Sequence, residues 1–211
     1  MSQAVRLSAN VGMLFAEAPL LERFACVAEA GFELVESWWP FGIELGAFER
    51  AVRDAGLGLV LMNLYGGDMP AGDRGVAGDL ERSGEFRAHV PLGLELAASL
   101  GCRTLHAMVG TERPGQDPDE QLRLGAENVR WAADLAAAQG ATLVVEPLNR
   151  WDNGPTLLQR VDDALAFIDA VGRPNVRVQL DAYHVARTDG DAAAGARRVG
   201  ARIGHVQVAD H

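Results

Sequence analysis

Seven short apolar runs, each followed by a stretch of polar and apolar residues, divide this chain into a regular alternation. The runs are Arg6–Val11, Leu34–Glu36, Gly58–Asn63, Thr104–Met108, Thr142–Glu146, Val176–Asp181 and Ile203–Val208. They are apolar on consecutive residues, as strands covered on both faces are. The segments Leu20–Ala30, Leu45–Ala55, Ser83–Leu100, Asp119–Gln139, Leu157–Val171 and Asp191–Val199 carry apolar residues at helical spacing. Several of them run into a glycine, as at positions 31, 56, 101, 140 and 172, where a left-handed residue can end a helix. Strict βα alternation predicts a parallel sheet. No G-x-G-x-x-G follows the first run, which disfavours a doubly wound nucleotide-binding sheet. Residues able to do chemistry stand at nearly every strand end, which is what a barrel requires. The expected fold is therefore α/β, a (β/α)8 TIM barrel. It forms one domain over residues 1–211, and the seventh strand is the last.

Charge narrows the partners. The 211 residues carry a net charge of −10, and all 19 basic residues are Arg. An acidic surface argues against nucleic acid and anionic membrane, and the absence of Lys excludes Schiff-base chemistry. Cys26 and Cys102 lie far apart in apolar contexts and are expected to be buried free thiols. With no basic-then-apolar leader and no apolar stretch of ~18 residues, a cytoplasmic protein is expected.

Oxygen donors end three successive runs. Glu146 closes a Val-Val run, and a carboxylate there is costly unless it is paired or binds metal; the plain alternative is an ion pair with Arg150. Asp181 ends the next run and His184 follows it by three, an arrangement that also suits a helix N-cap. Gln207 lies late in the seventh, either as a neutral oxygen ligand or as a buried hydrogen-bonding residue. Two carboxylates and an amide suit a hard cation, Mg²⁺ or Mn²⁺, better than zinc. His106 at the fourth strand's end is a candidate for substrate contact or else a satisfied structural His; Glu36 at the second is a further candidate for substrate contact, with Trp38 and Trp39 as cavity walls. His205 is expected to point away from Gln207 into packed core, and His89 to lie on the surface. The segment Tyr65–Leu80 is long for a connection; it is a candidate lid whose Asp68, Asp73 and Arg74 could meet a polar substrate, or else a solvated loop.

Taken together, these stretches resemble the hydroxypyruvate isomerase family of the xylose-isomerase-like barrels. The resemblance rests on Asn10-Val-Gly-Met-Leu-Phe15, Ala30-Gly-Phe-Glu-Leu-Val-Glu36, Glu146-Pro-Leu-Asn149, Gln179-Leu-Asp-Ala-Tyr-His184 and Ile203-Gly-His-Val-Gln-Val-Ala-Asp210. It implies a divalent cation held by Glu146, Asp181 and Gln207 with a fourth ligand, a Glu on an eighth strand. Glu146 is implied as catalytic acid/base as well, and His184 as a contact to substrate oxygens. The implied reaction isomerises a small 2-oxo-3-hydroxy acid through an enediolate. Alternatives on the same scaffold are a ketose 3-epimerase, an inosose dehydratase, or a non-catalytic barrel that binds a small acid. Sugar epimerases of the superfamily usually carry His where Gln207 stands, which favours the hydroxy-oxo acid over a sugar. A full barrel takes ~250 residues, so the eighth strand and its Glu are expected to be missing here. Unpaired edges on strands one and seven would follow, and a homo-oligomer is left open.

Overall fold

A computed structural model describes residues 5–209. Seven strands form one sheet in sequence order, and each adjacent pair is parallel. They are β1 (Ser8–Asn10), β2 (Leu34–Ser37), β3 (Gly58–Asn63), β4 (Thr104–His106), β5 (Thr142–Val145), β6 (Val176–Asp181) and β7 (Ile203–Gln207). The helices are α1 (Leu20–Glu29), α2 (Leu45–Asp54), α3 (Ser83–Ser99), α4 (Pro118–Ala138), α5 (Arg150–Asn153), α6 (Val161–Val171), α7 (Ala182–Asp189) and α8 (Ala192–Val199). This is the barrel architecture, with β1 and β7 each paired on one side only among the described residues.

The core lies between sheet and helices. Phe24 of α1 and Phe48 of α2 are fully buried and meet edge to face, with ring centroids 5.3 Å apart. Leu143, Val144 and Val145 of β5 are fully buried, which explains the consecutive apolar run. The glycines expected after helices all have positive φ, between 65° and 87°. Gly172 is the left-handed cap of α6, and its N–H bonds the Ile168 carbonyl.

Several boundaries differ from the sequence expectation. The helix expected from Leu157 starts at Val161, because Leu157 N–H bonds the Gly110 carbonyl and the intervening residues cross the β4 loop. The short helix α5 lies outside the expected segments and is capped by the Asn149 side chain, while α7 starts at the N-cap that the sequence offered as one reading of Asp181. Cys102 is buried as expected, but Cys26 is only half-buried on the flank of α1. His89 is half-buried and not fully on the surface. It stacks on Tyr65 at 4.0 Å, with Trp39 edge-on, because it lies one turn after Phe86 on the inner side of α3.

The segment after β3 is pinned. Asp73 is 8 % exposed and pairs with Arg82 at 2.8 Å and Arg113 at 2.6 Å, while Arg113 also reaches Asp79 at 3.0 Å. Gly75 (φ +112°) makes an antiparallel bridge with Val109, where a Cβ would overlap the Met108 carbonyl. These contacts fasten the loop after β3 to the loop after β4, so it is not a freely solvated excursion. Among the described residues no helix is long and apolar enough to cross a membrane.

Candidate active site

The carboxyl ends of parallel strands present side chains to one rim, and the site is built there. Glu146, one residue past β5, and Asp181, the last residue of β6, are each 8 % exposed. A ligand atom from each of Glu146, Asp181 and His184 lies within 4.8 Å of the others. Glu146 has no ion pair with Arg150, which is exposed; its Oε2 accepts from Gln179 Nε2 at 2.9 Å and lies 3.7 Å from His106 Nδ1. Burial pushes the Glu146 carboxyl well above the usual range, and the Asp181 charge adds to this. His106, at the end of β4 and 3 % exposed, is driven down to about 3 by burial, with His205 and His184 contributing. Its imidazole is neutral at pH 7.

Asp181 Oδ1 accepts from the backbone N–H of Tyr183 at 2.7 Å and of His184 at 3.4 Å, so one carboxylate oxygen caps α7. Capping and a second role are compatible, since it has two oxygens. His184 is oriented by Asn149. The Asn149 Oδ1 accepts from the backbone N–H groups of Trp151 and Asp152, both at 3.1 Å, which fixes which end of the amide is nitrogen. Its Nδ2 then faces His184 Nδ1 at 2.7 Å and donates to it. An Nδ1 that accepts puts the neutral ring's proton on Nε2. Burial lowers the His184 pKa, outweighing the nearby Asp181 and Asp152 charges, so the ring offers a neutral N–H donor.

On the opposite side, Gln207 is held at both ends. Its Oε1 accepts from Gln179 Nε2 at 2.8 Å, and its Nε2 donates to Glu36 Oε2 at 2.6 Å. Glu36 also bonds Ser8 Oγ at 2.5 Å and His205 Nε2 at 2.8 Å. Burial would raise the Glu36 carboxyl, but the bonds from His205, Ser8 and Gln207 hold it below the usual range. Thus the structure engages Glu36 with other side chains of the barrel interior. His205 does not point away from Gln207. Residues two apart in a strand share a face, and both reach Glu36.

The structure brings Glu146, Asp181 and His184 together, with His106 beside Glu146 and Gln207 one amide away through Gln179. Gln179, Asn149 and Ser8 carry the support without having been candidates from sequence, and His205, expected in packed core, joins them. The spacing of Gln179 two residues before Asp181 on one strand was the available signal. Asp210 lies outside the described residues.

The donor set suits a hard cation. Two buried carboxylates stand close together with no Arg paired to either among the described residues, and the buried Gln179 Oε1 has no hydrogen-bond partner. Such a carboxylate pair is costly without a positive charge between them.

The family model for the xylose isomerase-like TIM barrel matches residues 24–211. The chain is 39 % identical over 218 residues to a putative hydroxypyruvate isomerase of Streptomyces coelicolor, covering 98 % of this chain and 78 % of that protein. It is 39 % identical to a 2-oxo-tetronate isomerase of Cupriavidus necator, covering 97 % and 78 %. A crystal structure from Brucella melitensis, described as an AP endonuclease of family 2, superposes with a TM-score of 0.89 at 40 % identity, covering 97 % and 79 %.

Proposed function

The chain belongs to the xylose isomerase-like TIM barrel family and, within it, to the hydroxypyruvate isomerase family, and from this we propose that it isomerises a small 2-oxo-3-hydroxy acid. The observation that carries the proposal is the buried Glu146–Asp181 pair beside a neutral His184 whose Nδ1 accepts from Asn149, which leaves the ring proton on Nε2. Hydroxypyruvate going to tartronate semialdehyde, or a 2-oxo-tetronate, is the substrate class. The net charge of −10 disfavours a nucleic-acid substrate.

Glu146, Asp181 and Gln207 are the residues that would hold a divalent cation, Mg²⁺ or Mn²⁺ by their oxygen donors. When bound, it would supply polarisation of the substrate carbonyl and the adjacent hydroxyl. Glu146 takes the proton from the hydroxyl-bearing carbon next to the carbonyl, giving an enediolate. Return of a proton to the former carbonyl carbon, with the hydroxyl proton passing to the former carbonyl oxygen, completes the exchange. A carboxyl raised by burial is a stronger base once ionised than one in water, which suits a weakly acidic C–H. His184 donates its Nε2–H to a substrate oxygen and orients it. His106, neutral and beside Glu146, can contact substrate without adding charge.

The test is direct. The protein is incubated with hydroxypyruvate and Mg²⁺ or Mn²⁺, and tartronate semialdehyde is followed by NADH-coupled reduction. Turnover that is lost on chelation and restored by the metal is expected. Failure to turn over both hydroxypyruvate and 2-oxo-tetronates would reject the reading.

A further inference from the structure

Arg74 stands in the pinned segment between β3 and α3, half-buried. Its Nε donates to Asn153 Oδ1 at 2.9 Å, and its Nη1 donates to the carbonyls of Met69 at 3.3 Å and Asp73 at 2.8 Å. These bonds fix the plane of the guanidinium. The neighbouring arginines are neutralised, Arg82 by Asp73 and Glu85, and Arg113 by Asp73 and Asp79. Arg74 differs. Among the described residues no carboxylate lies within ion-pair distance of it, and its Nη2 has no hydrogen-bond partner. A half-buried, immobilised cation lacking a counter-ion is costly, and Nη2, with its two N–H groups unused, can donate to a carboxylate.

Its position also fits. Arg74 follows a parallel strand, so it belongs to the rim that carries Glu146 and Asp181. Asn153, which holds it, ends α5 and donates to the Asn149 carbonyl at 3.3 Å; Asn149 in turn holds His184 at 2.7 Å. The segment after β3 and the segment after β5 are thereby tied together above the candidate site. A neutral ketose would have no use for such a charge, whereas a 2-oxo acid brings one carboxylate. We propose that Arg74 binds the carboxylate of the substrate and so sets the preference for acids over neutral sugars. This rests on the isomerase reading above.

The test compares wild-type protein with Arg74→Met and Arg74→Lys. KM for hydroxypyruvate is measured alongside inhibition by tartronate, an acid, and by dihydroxyacetone, its neutral counterpart in size. Arg74→Met should raise KM and weaken tartronate inhibition by about tenfold or more, with dihydroxyacetone inhibition unchanged within about twofold. Arg74→Lys should recover part of the loss, because it restores charge without the fixed direction of the Nη2 donors. Equal weakening of acid and neutral inhibitors would show that the substitution only disturbs the loop, and would overturn the proposal, as would an unchanged KM. Absence of turnover in the wild-type protein would instead remove the isomerase reading itself.

Discussion

The amide nitrogen of Gln179 lies 2.9 Å from Glu146 Oε2 and donates to it. The same nitrogen lies 2.8 Å from Gln207 Oε1, so one side chain on β6 links the ends of β5 and β7. Gln179 is 2 % exposed, and water cannot replace it. Gln179→Leu should therefore lower kcat by ~10- to 100-fold, because a buried carboxylate loses a donor and its fixed direction. Gln179→Glu should be worse, since a third carboxylate would join Glu146 and Asp181. Wild-type kcat in Gln179→Leu would show that the link is incidental.

Glu146→Gln should abolish turnover while the fold persists. The amide cannot accept the proton, and it is a weaker donor to a hard cation. Burial together with the Asp181 charge already disfavours the ionised form, so removing the charge should leave the melting temperature equal to or above that of the wild type in the absence of metal. Activity assay and thermal melting check both halves, and near-wild-type turnover would reject the assigned role.

Asp181→Asn separates two duties of one residue. Asn is as good an N-cap as Asp, so α7 should keep its start and stability should change by less than ~1 kcal/mol. Cation affinity, measured by calorimetry, should fall at least tenfold, because a charged ligand is lost. Unchanged affinity would leave Asp181 with the cap alone.

His184 is expected to act on substrate through Nε2–H. His184→Ala should reduce kcat/KM with cation affinity largely kept. Asn149→Asp offers a sharper test: a carboxylate facing Nδ1 favours the tautomer protonated there and withdraws the proton from Nε2. It should reduce kcat/KM like His184→Ala, though the Asp still caps α5. Collapse of metal binding in His184→Ala would mean that the ring is itself a ligand.

Much of this was readable from the chain. Glu146 and Asp181 stand out because each ends an apolar run in which a charge needs a reason, and parallel strands bring successive ends to one rim. The Glu36–Gln207 contact was not readable, since its partners are 171 positions apart and meet only when the sheet curves round. The shared face of His205 and Gln207 is readable from period-two parity alone. Short α5 and α7 escaped because four and eight residues hold too few apolar positions to show a period; their caps, Asn149 and Asp181, were the remaining signs. The loop after β3 looked free because its anchors are charged residues from two other segments, Arg82 and Arg113.

That anchor gives a pH prediction. Burial would raise the Asp73 carboxyl, but the bonds from Arg113 and Arg82 outweigh it and hold the group below the usual range for Asp. A carboxyl lower in the folded than in the unfolded chain binds fewer protons when folded, so it stabilises the fold at pH above the unfolded value of ~3.9. That contribution is lost as pH falls through the depressed folded value. Asp73→Asn should be less stable than wild type by ~1–3 kcal/mol at pH 7, because two partly buried guanidinium groups lose their common partner. The gap should hold from pH 7 to about pH 5 and then narrow as wild-type Asp73 itself becomes protonated. Urea unfolding of both proteins between pH 3 and pH 7 measures this, and a gap that stayed constant down to pH 3 would show that the Asn substitution acts through packing instead of charge.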